Sequence, residues 1–144
     1  MPTRRRDPYL NFNFVVALGG EEAAGFSEVV LPEGRLDVVE YREGNEPASG
    51  ARKLPGRVHY SNVVLERGIT GNTELYDWWR AVRDGNLLRR DVVITLLDEA
   101  RKPVQAWVLR DAWPVRLAFG VLEGLGDEVA VETLELAYAS YELE

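Results

Sequence analysis

Alternation of apolar and polar positions predicts β-strands along most of this 144-residue chain. Between residues 9 and 18 the even positions from Phe12 to Leu18 are large and apolar, and a period of two indicates a strand with one buried face. The later segments FSEVVLPEG, LDVVEYR and RVHYSNVVLERG are rich in valine and are separated by turns containing Gly or Pro. The first half of the chain is therefore predicted to be all β.

One segment has the period of a helix instead. In GNTELYDWWRAVRDG, Asn72 or Thr73 can cap the first turn, and Gly85 can end the last one. Four apolar residues at i, i+3, i+4 and i+7 form a single stripe: Leu75, Trp78, Trp79 and Val82. We predict a helix over about residues 72–84. Adjacent tryptophans can form a stacking platform for a sugar or a base, but packing of this stripe onto a sheet is the favoured interpretation.

Strands resume after the helix. RRDVVITLLDEARKPVQAWVLRDAW has two apolar runs around a turn, which predicts a hairpin, and PVRLAFGVLEG predicts another strand. The tail EVAVETLELAYASYELE fits strand alternation and a helical stripe alike, and we predict a strand because the preceding β units need a closing partner. The whole pattern predicts one mainly β domain over residues 1–144, with about eight strands in a barrel or sandwich and one helix against it.

The run DVVITLL carries apolar residues on both faces. Alternation places Val92, Ile94 and Leu96 on one face, and Val93 and Leu97 on the other. A strand with one face in water alternates between apolar and polar residues. This strand is therefore predicted to be covered on both sides by the helix, a second sheet or another subunit.

A long extended loop interrupts the first group of strands. The stretch YREGNEPASGARKLPG, residues 41–56, contains three glycines, two prolines and charges of both signs. Loops longer than about 12–15 residues are uncommon in compact domains and are usually functional or disordered. We predict that residues 43–56 form an arm that reaches a neighbouring molecule, with a merely solvated loop as the alternative.

Composition and charge disfavour several classes of function. The net charge is −7, which disfavours a protein that coats nucleic acid, because that role needs a basic surface. The chain has no cysteine and therefore no thiol nucleophile or cysteine-ligated metal. Its basic, apolar start superficially resembles a signal peptide, but Asn11 and Asn13 interrupt the apolar run, so we expect no signal peptide. No other segment approaches the ~20 apolar residues of a membrane span.

No catalytic constellation stands out. His59, the single histidine, lies in a predicted strand without a second histidine at metal-binding spacing, which favours a structural or surface role. The glycines of GVLEGLG, residues 120–126, lack the order of a dinucleotide fingerprint and predict a turn. Acidic pairs such as Asp98 and Glu99 fall in predicted turns. We expect no catalytic residue, metal or cofactor, and an enzyme is the least favoured class.

The order of several segments resembles the inner tube proteins of contractile tails. GFSEVVLPEGRLDVVEYREGN is followed by RKLPGRVHYSNVVLERGIT, then by LYDWWRAVRDG and RRDVVITLLDEARKPVQAWVLRDAWPVRL. The most diagnostic pieces are YREGN…KLPG…YSNVVLERG, residues 41–68, and the helix segment at residues 78–85. The resemblance covers about residues 8–143. The family includes tail tube proteins of myophages, tubes of extracellular contractile injection systems and tailocins, and, more distantly, the haemolysin-coregulated protein of type VI secretion.

The resemblance implies a β-barrel-like pair of antiparallel sheets with one flanking helix. It also implies hexameric rings that stack into a hollow tube, which a contracting sheath drives through a membrane. The implied partners are other copies of the chain, a sheath protein, a baseplate or spike and a tube-terminating protein, with room for a lumenal cargo. The implied role is structural, without stable nucleic-acid binding, with assembly in the cytoplasm and later presence in a phage tail-like particle.

In the family, the extended loop between the early strands packs against the adjacent ring and against neighbouring subunits. Carried over, the expected assembly contacts are Glu43, Gly44, Asn45, Glu46, Pro47, Arg52, Lys53, Leu54, Pro55, Gly56 and Arg57. We expect the basic residues among them to pair with acidic residues on a neighbour. Deletion of residues 46–53 is expected to leave a folded protein that no longer polymerises.

Two other interpretations stay open from the sequence. A tail tube of a contractile-tailed phage, which passes DNA, differs in cargo; residues 26–68 look closer to the injection-system branch, which we therefore prefer. A monomeric ligand-binding β-barrel also has about eight strands and one helix and holds an apolar molecule inside. The long arm and the two-faced strand favour the tube, and oligomeric state separates the two classes.

Overall fold

The computed structural model describes residues 7–10, 13–23, 25–42, 44 and 52–144. Within these residues the elements are β1 (Phe14–Leu18), β2 (Glu21–Ala23), β3 (Phe26–Val30), β4 (Gly34–Tyr41), β5 (Arg52–Tyr60), β6 (Val63–Gly68), α1 (Glu74–Arg83), β7 (Arg90–Leu97), β8 (Pro103–Phe119), β9 (Val131–Ala137) and β10 (Ser140–Leu143). The predicted mainly β fold with one helix is confirmed. The strands outnumber the predicted eight partly because a turn at Gly19 and Gly20 separates β2 from β1, and a break splits the tail into β9 and β10.

The described strands form two antiparallel sheets. Eight strands form one sheet along the path β2-β1-β7-β8-β9-β6-β3, with β10 paired to β8, and β4 and β5 form the second sheet. The larger sheet does not close into a barrel within the described residues, because β3 pairs only with β6. A groove of about 410 Å³ lies between β3 and the β1–β7 pair, with Phe14, Val29 and Trp107 in its lining.

The hydrophobic core joins the larger sheet to α1. Its fully buried members come from five strands and the helix: Val16, Leu18, Val63, Leu65, Leu75, Trp78, Val92, Ile94, Leu109, Ala112, Leu134 and Leu136. The predicted alternation in β1 holds, since Val16 and Leu18 are buried and Phe14 packs against the core. Phe12 lies outside the described residues. The predicted strand in the tail is also present, as β9 and β10.

Helix α1 agrees with the predicted residues 72–84. The N-cap residue is Thr73, whose side chain makes no capping hydrogen bond; the Oδ1 atom of Asn72, one residue earlier, accepts a hydrogen bond from the backbone N–H of Glu74 at 2.8 Å and so satisfies one donor of the first turn. Gly85 follows the helix with φ of 96°, and its N–H donates to the Val82 carbonyl at 3.1 Å. Local sequence therefore sets both ends of the helix.

Strand β8 is longer than predicted, because it runs through Pro114 instead of ending before it. Pro114 pairs with Leu136 of β9 on one side. On the other side β7 begins at Arg90, opposite Ala112, so no described strand requires an N–H from this proline. Asp111, with φ of 55°, marks the bulge at which β8 leaves β7.

Strand β7 keeps the predicted face of Val92, Ile94 and Leu96. These residues lie opposite Leu18, Val16 and Phe14 of β1, and Ile94 and Leu96 line the same groove. The other predicted face is covered unevenly. Leu97, which follows a register shift against β8, is buried, whereas Val93 is only partly buried. The predicted cover on both sides is therefore incomplete within the described residues.

Candidate assembly surfaces

Strands β4 and β5 form a ribbon that stands away from the larger sheet. We call these two strands, Gly34–Tyr41 and Arg52–Tyr60, the ribbon. Their extensive contacts are with each other, and neither strand packs broadly on another described strand or helix. A two-stranded ribbon alone is marginally stable in water. This ribbon therefore depends on its anchor at the base and on whatever covers its faces.

Aromatic and backbone contacts anchor the base of the ribbon. The Tyr60 ring lies 5.8 Å from the Tyr138 ring and 5.5 Å from the Tyr141 ring, measured between centroids. The Tyr138 hydroxyl donates to the Ser61 carbonyl at 2.7 Å, and the Ser61 N–H donates to the Glu33 carbonyl at 2.9 Å. Burial, with smaller contributions from the two neighbouring tyrosines, raises the pKa of Tyr138 to about 12. The base is thus held in the subunit, unlike the rest of the ribbon.

Both faces of the ribbon carry exposed apolar side chains. Six of them are between 46% and 65% exposed: Leu36, Val38, Val39, Tyr41, Leu54 and Val58. The strand register places three on each face, with Leu36, Val38 and Val58 together on one of them. Contiguous exposed apolar surface of this kind marks an interaction site.

Charged side chains accompany this apolar surface. Together with Arg42, the two strands hold five basic residues against two carboxylates, Asp37 and Glu40. The His59 Nε2 atom lies 2.8 Å from the Asp37 Oδ2 atom, and both side chains are about half exposed. The ribbon is therefore a net basic and apolar surface on a chain whose net charge is −7.

The structure corrects the predicted loop over residues 43–56. The six predicted assembly residues from Arg52 to Arg57 lie in β5, where Arg52 pairs with Tyr41 and Lys53 with Glu40. Deletion of residues 46–53 would therefore also remove the first two pairs of the ribbon. The predicted contacts Glu43, Asn45, Glu46 and Pro47 lie outside the described residues, and Gly44 follows the end of β4 closely.

Proline and glycine at the start of β5 explain why this part was predicted as loop. Pro55 pairs with Val38 in a ribbon that has no further strand on either side among the described residues, so its missing N–H disrupts no described ladder. Gly56 lies at the ribbon's register shift. A Cβ atom there would lie 3.0 Å from Val39 Cγ2 and 3.1 Å from Asp37 Cβ, so the close approach of the strands favours glycine.

A second exposed apolar surface lies where the sequence pattern predicts only a turn. We call residues 120–130, between β8 and β9, the tip loop. Four of its side chains are at least 75% exposed: Val121, Leu122, Leu125 and Val129. It also has three carboxylates, Glu123, Asp127 and Glu128, and no basic residue. The signal in the sequence for this surface is four large apolar residues in a glycine-containing turn. Solvation of a turn does not explain the presence of these apolar residues.

The predicted helix stripe divides into a buried and a partly exposed portion. Leu75 and Trp78 are buried, and Val82 packs against the core from its edge. The Trp78 Nε1–H donates to the Leu88 carbonyl at 2.7 Å. Trp79 is partly exposed, and the Arg83 guanidinium lies over its ring at 5.5 Å. Sheet packing thus accounts for most of the stripe.

One ion pair lies inside the core at its tip-loop end. The Arg67 Nε atom donates to the Glu132 Oε1 atom at 2.5 Å, and the two side chains are only 4% and 7% exposed. The guanidinium also lies over the Phe26 ring at 5.5 Å. Its Nη2 atom is buried and has no hydrogen-bond partner among the described residues. This pair joins two strands directly opposite each other, β6 and β9.

Surface carboxylates fix the bulge between β7 and β8. Asp91 accepts a hydrogen bond from the Asp111 N–H at 3.1 Å and another from Arg110 Nη1 at 3.0 Å. These bonds, the backbone one first, lower the pKa of Asp91. On β9, hydrogen bonds from Asn62 and then Arg116 lower the pKa of Glu135 in the same way. These carboxylates stabilise the pairing of the strands, and their pKa values are lowered, as is usual for carboxylates that accept hydrogen bonds.

Two further features of the described residues bear on function. No helix among them is long and apolar enough to cross a membrane. No three of their His, Asp or Glu side chains form a group that could hold a metal ion. What the ribbon and the tip loop offer to a partner is apolar contact bordered by charge.

Comparison with known families decides the identity of the fold. The sequence model of the T4-like virus tail tube protein gp19 family matches residues 10–142. The chain belongs to this family. Both the ribbon and the tip loop lie within the matched region of this tail tube protein. A search of curated proteins gives no match to the chain.

Solved structures agree with membership in the tail tube family. A chain of the anti-feeding prophage (AFP) baseplate is 28% identical, with a TM-score of 0.82 and coverage of 97% of both chains. A chain of the PVC sheath–tube complex, an extracellular contractile injection system in the extended state, is 25% identical, with a TM-score of 0.86 and coverage of 96% and 93%. Hcp1 from Flavobacterium johnsoniae shares the fold at 14% identity, with a TM-score of 0.54 and coverage of 90% and 93%.

Proposed function

We propose that this chain is the structural subunit of the rigid inner tube of a contractile injection machine. Six copies form a ring, rings stack into a hollow conduit, and sheath contraction drives the conduit through a membrane. Family membership and the similarity to chains of the PVC sheath–tube complex and the AFP baseplate support this role.

The exposed ribbon is the observation in the subunit that carries the proposal. An isolated soluble protein gains nothing from six half-exposed apolar side chains on a ribbon with no backing sheet. Contact with neighbouring copies buries those side chains and supplies the missing support. The assembly arm in this proposal is therefore the ribbon, including Arg52–Arg57, together with the connecting residues from Glu43 to Pro47.

The partners follow from the same role. The proposed partners are other copies of the chain, a sheath protein, a baseplate or spike and a tube-terminating protein; similar structures include a sheath–tube complex, a baseplate and a tube terminator. We place assembly in the cytoplasm and assign no catalytic function or cofactor. A phage tail tube that conducts DNA is the related alternative, and the contents of the lumen in purified particles distinguish it.

Isosteric substitutions test the assembly arm without changing strand propensity. Val38→Thr, Val39→Thr and Val58→Thr keep β-branched side chains and remove apolar surface. If each substitution costs about 1 kcal/mol at the interface, the triple variant loses about 3 kcal/mol, a roughly 100-fold rise in the concentration needed for assembly. Sedimentation of tubes against total protein concentration measures this shift.

A matched control separates assembly from folding. Leu87 is similarly exposed but lies outside the ribbon, so Leu87→Thr is expected to change the assembly threshold little. Thermal unfolding monitored by circular dichroism should show the triple variant folded. Unchanged assembly of a folded triple variant would remove the ribbon from the proposal.

A further inference from the structure

We infer that the tip loop of one copy docks on the ribbon of a second copy and forms a head-to-tail contact between them. The inference rests on the proposed function, because it names the surface that covers the ribbon in an assembly. Its occupant is thus a defined segment of the same chain, residues 120–130.

The two surfaces lie at opposite ends of the same strands. In the antiparallel pair of β6 and β9, Val63 lies opposite Leu136 and Gly68 lies opposite Val131. The ribbon leaves the sheet next to Val63, because β5 ends at Tyr60. The tip loop leaves at the other end, where it leads into Val131. Six residues of β6 separate these ends by about 20 Å.

The ribbon is long enough to span a subunit of this height. Its strands have eight and nine residues, which extend over about 25–30 Å. Because the ribbon does not fold back on any other described element, its faces stay accessible to a second molecule. The tip loop is correspondingly exposed, and Leu125 is fully so.

The chemistry of the two surfaces is complementary. Each presents several exposed aliphatic side chains. The described ribbon residues carry a net positive charge, whereas every charged side chain of the tip loop is acidic. The ribbon keeps a positive balance when Glu43 and Glu46 of its connecting segment are included. Two tip loops repel each other, so charge disfavours a twofold contact between like surfaces.

Contact between unlike surfaces has a geometric consequence. A heterologous interface either closes into a ring or propagates as a filament. Because the ribbon and the tip loop lie at opposite ends of one sheet, copies joined through them follow one another along the strand direction. We therefore assign the contact to successive rings of the stack and not to neighbours within a ring.

Cysteine cross-linking tests this contact on a clean background, since the chain has no cysteine. The double variant Val38→Cys with Leu125→Cys places one thiol on each surface. After assembly and treatment with a short bifunctional thiol reagent, a denaturing gel should show a ladder of dimers, trimers and longer chains. Each single variant should stay monomeric. In the matched control, Leu125→Cys is replaced by Ala100→Cys, which is exposed at the β7–β8 turn, and no ladder is expected.

Electron microscopy of the same samples tests the tube function separately from the contact between the tip loop and the ribbon. Tubes with the ladder confined to the Val38–Leu125 variant support the inference. Tubes without a ladder, or with an equal ladder in the Ala100 control, overturn the contact and leave the tube function standing. If the wild-type protein forms neither rings nor tubes, the function and the contact fail together.

Hydrogen exchange of the wild-type protein provides a test that needs no substitution. Assembly should slow amide exchange in residues 121–129 by roughly tenfold or more, because the docked loop loses its local opening. Equal exchange in tubes and in free subunits would mean that the loop stays on the tube surface, accessible to another protein such as a sheath, and would overturn the inference.

Discussion

Removing one partner of the buried Arg67–Glu132 pair should harm the subunit much more than removing both. The Arg67 Nε and Glu132 Oε1 atoms are 2.5 Å apart, and both side chains are more than 90% buried. The Arg67 Nη2 atom is also buried without a hydrogen-bond partner among the described residues. The pair therefore combines a strong attraction with a large desolvation cost.

The expected magnitudes follow from this geometry. At an effective dielectric constant of about 20, unit charges at this separation attract by about 7 kcal/mol. Desolvation costs several kcal/mol per ion, which leaves the pair with a net contribution near zero. Glu132→Gln keeps the side-chain shape but leaves the guanidinium without its counter-charge, so the free energy of unfolding should fall by about 3–5 kcal/mol. Arg67→Met leaves the Glu132 carboxylate buried without its counter-charge, so the free energy of unfolding should fall by a similar amount.

The double variant is the decisive measurement. Arg67→Met with Glu132→Met removes both charges and the unpaired nitrogen, so its free energy of unfolding should lie within about 1 kcal/mol of the wild type, or above it. Urea unfolding of the unassembled subunit, monitored by circular dichroism, is measured for the wild type, the double variant and the two matching single variants, Arg67→Met and Glu132→Met, which complete the cycle.

A surface pair on the same strand provides the control. Glu135 lies on β9 with its carboxylate 3.1 Å from Arg116, whose side chain is half exposed, and Glu135→Gln should cost less than about 1 kcal/mol. Two results would refute the reasoning about Arg67 and Glu132. One is a single variant as stable as the wild type; the other is a double variant whose loss equals the sum of the two single losses.

Three further substitutions test the base of the ribbon and the helix. Burial raises the pKa of Tyr138 from 10.0 to about 12, so the neutral phenol contributes stability that is full below pH 10 and is lost as the pH rises through 12. Tyr138→Phe should therefore reduce the fall in the free energy of unfolding, measured with urea, between these pH values. An unchanged fall would contradict the assignment. Trp78→Phe removes the 2.7 Å hydrogen bond to the Leu88 carbonyl and part of a buried ring, and should lower the free energy of unfolding by about 2–3 kcal/mol, against less than about 1 kcal/mol for Trp79→Phe at the partly exposed neighbour. Gly85→Ala meets no atom within 4 Å but forces alanine to φ of 96°, so thermal unfolding should report a loss of about 1–2 kcal/mol; no loss would mean that the helix ends differently.

Features set by local sequence were predictable. The alternation that buries Val16 and Leu18, the hydrogen bond of Asn72 to the first turn of the helix and the Gly85 stop all depend on residues close together in the chain, and each lies where the pattern indicated. The resemblance to tail tube proteins rested on segments spread over most of the chain, and the family match covers the same region.

Features set by strand pairing were not predictable. KLPG has the composition of a turn, yet Pro55 and Gly56 fit β5, because the described part of the chain adds no third strand to the ribbon and β4 approaches closely at one bulge. The ion pair joins Arg67 to Glu132, and only the register of β6 against β9 brings these charges together. The tip loop has no periodicity to detect, and its significance appears only from the exposure of side chains such as Leu125.

Negative-stain electron microscopy of the purified wild-type protein, together with light scattering after size exclusion, tests the central claim most directly. A tube subunit should form six-fold rings or hollow filaments whose mass is a multiple of six 16.2 kDa subunits. A clean monomer at concentrations at which ring-forming proteins assemble, unchanged when preformed baseplates are added as nuclei, would contradict it. In that case saturable binding of an apolar ligand in the groove beside Phe14 and Trp107 becomes the hypothesis to test.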